Sequence, residues 1–85
     1  MNEILKQVEK IEEKIFNYNF NAVQTNINKV IESIYPYIDD INENRRNTIN
    51  QVLNYINIAL ENSDYLFLAD VLRYELVPWI NAANN

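Results

Sequence analysis

The stretch that decides the fold lies in the last third of the chain and reads Ser63-Asp64-Tyr65-Leu66-Phe67-Leu68-Ala69-Asp70-Val71-Leu72-Arg73-Tyr74-Glu75-Leu76-Val77-Pro78-Trp79-Ile80. Wound into a helix, it presents apolar side chains on almost every side. A helix that is hydrophobic all round is not stable on a wet surface, so we expect this segment to form the centre of a bundle or an interface. The stretch predicts an architecture, and by itself it predicts no activity.

The length of the chain limits the size of its core. We place a single helical domain at residues 1–85, and a chain of this size buries only about 60–65% of the surface that its unfolded form exposes. A core this small rarely supplies more than ~3–5 kcal/mol, so self-association would add stability. The absence of glycine disfavours tight β-hairpins, because their turns need positive φ angles. Helices joined at Asn, which tolerates the left-handed region next best, are the expected alternative.

The composition argues against several classes of function. Without Cys the chain has no disulfide and no zinc–thiolate site, and without His it lacks the commonest general base and transition-metal ligand. A net charge of −5 argues against nucleic-acid binding. No stretch has the ~18 uninterrupted apolar residues of a membrane span, and the N-terminus lacks an apolar signal region. We therefore expect a cytoplasmic protein with no cofactor, no nucleic-acid partner and no membrane contact.

Apolar spacing predicts the first two helices. In the first, apolar residues recur at alternating spacings of four and three: Ile4, Val8, Ile11 and Ile15. The Asn-rich residues 17–21 interrupt this pattern, and Asn21 with Gln24 resembles a capping box from which a second helix would start. The stripe of that helix consists of Val23, Ile27, Val30, Ile31, Ile34, Ile38 and Ile41. Pro36 lies inside it, so the helix either ends at Ile34 or kinks; we favour a kink, because the apolar phase continues.

The second half of the chain supplies two more helices. The polar run 39–47 predicts a turn near residues 43–47, and the third helix follows with Ile49, Val52, Leu53, Ile56, Ala59 and Leu60. Ser63 or Asp64 is expected to cap the fourth helix, which runs to about Ala82. Four helices of similar length joined by short turns predict an all-α, antiparallel up-down four-helix bundle. A three-helix bundle, with a long first helix that continues through residues 17–21, stays open as the alternative.

Carboxylates provide the one enzymatic alternative. Glu9 and Glu12 share a helix face, and Glu61 and Asp64 lie on another segment, an arrangement that resembles the Mg²⁺ ligands of all-α nucleoside triphosphate pyrophosphohydrolases. No basic phosphate clamp lies beside them, and the Ser and Thr residues lack an activating base. We therefore predict no enzymatic activity, no catalytic residue and no metal site. The Mg²⁺-dependent hydrolase requires these four carboxylates to converge on one pocket.

The fourth helix carries the candidate partner-binding residues, which are Asp70, Arg73, Tyr74, Glu75 and Trp79. At ~100° per residue, Asp70, Arg73 and Tyr74 share one face of the helix. Glu75 is expected roughly 140° from Asp70 among apolar residues, where an unpaired carboxylate would cost several kcal/mol. Either Arg45 or Arg46 from a neighbouring helix pairs with Glu75, or Glu75 reaches the bundle edge and is solvated. Tyr and Trp are enriched at interface hot spots, which favours a surface that binds a protein partner.

The run from Asp64 to Pro78 resembles the tail of small, uncharacterised all-helical proteins of low-GC Gram-positive bacteria. The resemblance covers about a fifth of the chain. It draws attention to Asp70, Tyr74, Glu75 and Pro78, and it implies no activity.

These features predict a small non-catalytic helical module that acts through protein contacts. A homodimer built on the fourth helix is the expected assembly, because the apolar surface exceeds what one small bundle can hide. Such a module would serve as an accessory subunit, or as a chaperone that covers an apolar helix of its client.

Overall fold

The structure is a computed structural model that describes residues 2–38 and 42–83. Within these residues it contains four helices and no strand. A 3₁₀ turn at Phe20–Ala22 precedes the second helix, and the fourth consists of three consecutive segments: Tyr65–Val71, a π-helical turn Leu72–Leu76, and Val77–Ala83. We label the helices α1 (Asn2–Phe16), α2 (Val23–Ile38), α3 (Glu43–Glu61) and α4 (65–83). The predicted all-α four-helix fold is confirmed, and the three-helix alternative is wrong because α1 ends at Phe16.

The four helices pack in a ring that follows their order along the chain. α1 contacts α2 and α4, and α3 contacts α2 and α4. The pairing of α1 with α4 is antiparallel: Phe16, the last residue of α1, shares a cleft with Leu66 near the start of α4. Four residues earlier in α1, Glu12 bonds Arg73, which lies seven residues further along α4. This arrangement is the up-down topology that short connections impose on helices of similar length.

One cluster of buried apolar side chains fills the ring, and it follows the predicted helical stripes. Each stripe repeats at three or four residues, so its members project from one side of their helix. The cluster consists of Ile4, Val8, Ile11, Ile15, Val23, Ile27, Val30, Ile34, Ile38, Ile49, Val52, Ile56, Ala59, Leu68, Val71, Leu72, Leu76, Trp79 and Ile80. Among the described residues no helix is long and apolar enough to cross a lipid bilayer.

The end of α1 shows how the chain turns without glycine. The backbone N–H of Asn19 donates to Lys14 O (2.8 Å), and that of Tyr18 donates to Ile15 O (3.1 Å), which is the bond pattern of a Schellman motif. Tyr18 takes the left-handed position with a φ of 58°. The expectation that Asn would occupy this position is wrong here. The motif places its left-handed residue one position beyond Asn17, and that position is a tyrosine.

The end of α3 repeats the same motif. Asp64 N–H donates to Ala59 O (2.8 Å), Ser63 N–H donates to Leu60 O (3.1 Å), and Ser63 is left-handed with a φ of 50°. Asn62 again lies one position before the left-handed residue. The next residue, Asp64, accepts a bond from Phe67 N–H (3.1 Å) and so caps α4, which resolves the choice between Ser63 and Asp64.

The start of α2 differs from the prediction, and its end can be compared with the prediction only in part. Asn21 lies inside the 3₁₀ turn, and the Gln24 side chain donates to Asn28 Oδ1 (3.3 Å), so α2 does not begin with the expected capping box. α2 runs through Pro36 to Ile38, so the alternative in which it ends at Ile34 is wrong, whereas Ile41 lies outside the described residues.

The predicted turn at residues 43–47 is wrong, because α3 already begins at Glu43. Asn42 caps it by accepting a bond from Arg45 N–H (2.9 Å). Glu43, Asn44, Arg46 and Asn47 lie exposed in the first turns of α3, and Arg45 is partly buried.

The π-helical turn keeps the buried side chains before and after it on the same side of α4. Leu68, Leu72, Leu76 and Ile80 recur every fourth residue and are all fully buried. In a regular α-helix, four residues advance about 40° beyond a full turn, so three such steps would carry the series roughly 120° around the helix. The wider turn, in which Val77 N–H bonds Leu72 O, offsets part of this drift. Pro78 gives a physical reason for it, because a proline ring clashes with the carbonyl four residues earlier in α geometry.

The sequence predicted that α4 forms the centre of a bundle or an interface, and within the single chain α4 is not enclosed on every side. Its series of buried residues faces the core, but Leu66, Phe67 and Tyr74 are exposed on the opposite side. Because α4 is one member of a ring of four helices, it has neighbours on its inner side only. The apolar residues beyond that inner stripe remain uncovered.

Candidate protein-binding surface

Trp79 and Arg45 form a clasp between the C-terminal part of α4 and the first turn of α3. Trp79 Nε1 donates to Arg45 O (3.1 Å), and Arg45 Nη2 donates to Trp79 O (2.7 Å). The guanidinium lies 4.4 Å from the centre of the indole ring, within the range of a cation–π contact. Trp79 is only 4% exposed, so the structure places it in the core and not with the other predicted partner-binding residues.

Glu75 is exposed to solvent, and Arg45, one of its two expected partners, bonds Trp79 and not Glu75. The expected angle between Asp70 and Glu75 assumed a regular α-helix. The π-helical turn takes more residues per revolution, which brings Glu75 back toward the side of Asp70. Asp70, Tyr74 and Glu75 accordingly line one cleft. Of the two alternatives for Glu75, the structure supports the solvated carboxylate.

The structure therefore brings four of the five predicted residues to one exposed side of α4 and adds three apolar residues to them. We call this set the α4 outer surface: Phe16, Leu66, Phe67, Asp70, Arg73, Tyr74 and Glu75. Leu66 is 76% exposed, Tyr74 is 65% exposed and Phe16 is 62% exposed. The surface thus combines three large, exposed apolar side chains with the charged residues Asp70, Arg73 and Glu75.

Two clefts lie on either side of the exposed face of α4, and Asp70 lines both. The cleft toward α1 is lined by Glu12, Phe16, Leu66, Ala69, Asp70 and Arg73. The cleft toward α3, of about 510 Å³, is lined by Tyr55, Phe67, Asp70, Val71, Tyr74 and Glu75. On that side Tyr55 meets Phe67 edge to face, with 6.3 Å between ring centroids. Both clefts combine an apolar floor with charged rims, a composition common at protein-binding sites.

Arg73 is tied to α1 by an ion pair. Its Nη2 lies 3.2 Å from Glu12 Oε2, and the two side chains are 56% and 16% exposed. The Glu12 carboxylate raises the pKa of Arg73 above its ordinary value, and contact with Tyr74 acts in the same direction. A raised pKa favours the charged form up to still higher pH, so Arg73 keeps its charge throughout the physiological range. Because the pair is exposed and screened by solvent, it orients Arg73 more than it stabilises the fold.

Sequence reasoning missed Leu66, Phe67 and Phe16 as members of this surface, and it missed Glu12 as the partner of Arg73. Leu66 precedes Asp70 by four residues, so the same helical spacing that joined Asp70 to Arg73 would have included it. Phe16 and Glu12 belong to α1, and no pattern within one helix could show that they face α4.

The carboxylates of the enzymatic alternative do not converge. Among residues 2–38 and 42–83, no group of three or more Asp, Glu, His or Cys residues is arranged to hold a metal ion. Glu12 bonds Arg73 on the α1–α4 side, and Asp64 caps α4. The geometry that a Mg²⁺-dependent hydrolase would require is therefore missing from the described residues.

Comparison with known proteins gives a family and no activity. No curated protein and no solved structure matches this chain. The sequence resemblance was limited to the C-terminal part of the chain, but the family match extends over its whole length. The all-helical character expected from that resemblance is confirmed by the structure. Over residues 1–85 the chain belongs to the DUF8042 family, described as a domain of unknown function.

Proposed function

We propose that this protein is a non-catalytic interaction module, an accessory or chaperone-like subunit that binds protein partners through the α4 outer surface. One observation carries the proposal: Leu66, Tyr74 and Phe16 are all more than 60% exposed, and they line the two clefts that flank α4 and share Asp70. Clustered exposed apolar residues rimmed by charge are characteristic of interaction sites. A cytoplasmic location suits a chain without cysteine.

The composition of the surface supports binding of another helix. Its apolar residues line grooves on either side of α4, and Asp70, Arg73 and Glu75 rim them. An amphipathic helix that lays its apolar side in such a groove buries aliphatic and aromatic residues while its polar side stays in water. Leu66 and Tyr74 then act as anchors, since well-packed central residues carry most of the energy of an interface.

The fold does not need these side chains for its own stability. The buried series Leu68, Leu72, Leu76 and Ile80 lies on the inner side of α4. Substitution of an exposed residue such as Leu66 should change the free energy of unfolding by no more than about 0.5 kcal/mol. Binding and folding can therefore be tested separately.

The test compares Leu66→Glu with Tyr35→Glu, a matched substitution of a 57% exposed residue on α2. Immobilised wild type and each variant are incubated with extract of the native cell, and bound proteins are quantified. We expect Leu66→Glu to lose at least about tenfold of the specifically bound protein, which corresponds to ~1.4 kcal/mol. Tyr35→Glu should bind like the wild type. Equal binding by all three proteins would contradict the proposal.

The absence of catalysis is tested on the alternative activity. Purified protein is incubated with nucleoside triphosphates and Mg²⁺, and release of pyrophosphate is measured. We expect release at the rate of the buffer alone. Turnover that is lost in Glu9→Gln or Glu61→Gln would replace the present proposal with the hydrolase.

A further inference from the structure

We propose that the partner of the α4 outer surface is a second copy of this chain, packed with its α4 antiparallel to the first about a two-fold axis between Asp70 and Arg73. This inference rests on the proposed function, because it names the occupant of the same surface. A two-fold contact uses one surface twice, so that surface must complement itself. The order of residues along α4 meets that condition.

Charge complementarity selects the position of the axis. Asp70 and Arg73 line the same cleft and are both exposed. An antiparallel pairing centred between them places Asp70 of each copy opposite Arg73 of the other, which forms two opposite-charge pairs. A pairing centred on Asp70 would instead set two carboxylates against each other, and one centred on Arg73 would oppose two guanidinium groups. Like charges in direct opposition disfavour both of these alternatives.

The apolar residues fit the same axis. Ala69, a small residue, lines the cleft toward α1 together with Leu66 and Asp70, and it leaves room there for a side chain of the second copy. Leu66, the most exposed apolar residue of α4, comes opposite Val77, which is partly buried. Large side chains thus meet small or recessed positions, as shape complementarity requires.

Arg73 can serve the contact without leaving Glu12. A guanidinium carries five N–H donors in a planar fork, and the bond from Arg73 to Glu12 Oε2 uses only Nη2. The side chain is 56% exposed, so it remains accessible to a carboxylate of the second copy. The ion pair with Glu12 then holds the guanidinium in place, which reduces the ordering cost of association.

The net charge of −5 opposes association at low ionic strength. Measurements should therefore be made near 0.15 M salt, where charges more than about 8 Å apart are largely screened. Glu75 does not face itself in this arrangement. Its counterpart along the antiparallel helix is the buried Leu68, so the carboxylate stays at the wet edge of the contact.

Charge reversal with mixing tests the axis directly. Sedimentation equilibrium should show a dimer for the wild type. In a dimer of the Asp70→Arg variant, arginine of one copy lies opposite arginine of the other, and in a dimer of the Arg73→Asp variant aspartate lies opposite aspartate. Each variant alone should therefore dimerise at least about tenfold more weakly than the wild type. Mixed in equal amounts, the two variants should form a heterodimer with near-wild-type affinity, because both opposed positions are again of opposite charge.

Controls use the same charge changes on α2, which packs against α1 and α3. Glu32→Arg and Lys29→Asp should leave dimerisation unchanged within about twofold, and Lys29→Asp mixed with Asp70→Arg should not restore it. Far-UV circular dichroism and urea midpoints confirm that every variant is folded. Equal weakening by the α2 variants, or failure of the mixture to associate, would overturn the proposed axis.

The outcome also separates this inference from the proposed function. A wild type that stays monomeric up to ~1 mM, and whose binding to cell proteins is still lost in Leu66→Glu, overturns the second copy and leaves the interaction module standing. A monomeric wild type whose binding is unaffected by Leu66→Glu overturns both.

Discussion

The two ends of the bundle are closed in different ways. At one end, which we call the turn end, α1 and α3 both finish in Schellman motifs whose left-handed residues are Tyr18 and Ser63. At the other, the clasp end, Arg45 and Trp79 exchange two hydrogen bonds and a cation–π contact. The turn end spreads its stabilisation over backbone bonds, and the clasp end concentrates it in two side chains. Side-chain substitutions should therefore be far more damaging at the clasp end.

The turn end has a side-chain contribution of its own. Phe20, in the 3₁₀ turn before α2, stacks on Tyr65 at the start of α4, with 4.1 Å between centroids and 5° between ring planes. The stack joins the α1–α2 connection to the α3–α4 connection. It is partly exposed, so it contributes less than the buried indole at the opposite end.

The largest effect is expected from Trp79→Ala. It removes a buried indole and both hydrogen bonds of the clasp, so the free energy of unfolding should fall by about 3–5 kcal/mol. For a domain this small such a loss approaches the whole stability. Urea unfolding followed by circular dichroism measures the change. Trp79→Phe keeps most of the packing, so its loss of unfolding free energy should be no more than half that of Trp79→Ala. Equal losses in the two variants would contradict this account.

Arg45→Ala should have the next largest effect. It leaves Trp79 O without its partner and removes the cation from the indole face, for a loss of about 1–3 kcal/mol in unfolding free energy. Glu75→Gln is the control, because Glu75 is exposed and Arg45 bonds Trp79 instead. We expect this control to change stability by less than about 0.5 kcal/mol. A large effect of Glu75→Gln would indicate that Glu75 does carry a stabilising ion pair.

Phe20→Ala should cost about 1–2 kcal/mol of unfolding free energy, since it removes the stack on Tyr65 together with partly buried area. Tyr18→Ala is the matched control, because Tyr18 meets Phe20 only edge to face and is mostly exposed. Thermal unfolding measures both variants. A smaller loss for Phe20→Ala than for Tyr18→Ala would show that the stack does not hold the turn end.

Ser63→Gly should stabilise the protein by about 0.5–1 kcal/mol. A left-handed conformation costs a non-glycine residue roughly 1–2 kcal/mol, and the greater flexibility of glycine in the unfolded chain offsets part of the gain. For a domain of this size 1 kcal/mol raises Tm by about 4–8 °C, which calorimetry detects readily. Ser63→Ala keeps the Cβ and should bring no such gain. A lower Tm for Ser63→Gly would argue against strain at the turn end.

Much of the fold could be predicted because the apolar spacing of α1, α2 and α3 is regular. Ile4, Val8, Ile11 and Ile15 are all buried as their alternating spacing indicated. The start of α3 was misplaced because polar residues in its first turns look like a turn in sequence. Asn42, with its side chain positioned to accept from Arg45 N–H, was the missed signal.

The candidate surface was predictable only where α4 is a regular helix. Asp70, Arg73 and Tyr74 were grouped correctly, whereas Glu75 was misplaced because the π-helical turn changes the angle per residue. Trp79 was assigned to the surface for its residue type, yet the Arg45 contacts that hold it in the core join residues 34 positions apart. Contacts of that range depend on how helices pack, and spacing within one helix does not contain them.

The π-helical turn also has a consequence for chain length. The π-helical turn contains five residues, Leu72–Leu76. A regular α-helical turn that left the following segment in the same orientation would contain four. Deleting one exposed residue from this turn, together with Pro78→Ala, should therefore straighten the helix while Ile80 still points into the core. The same deletion elsewhere in α4 would turn every later side chain by about 100° and misalign the core. This segment is thus a place in α4 where the chain can lose one residue and keep its buried series aligned.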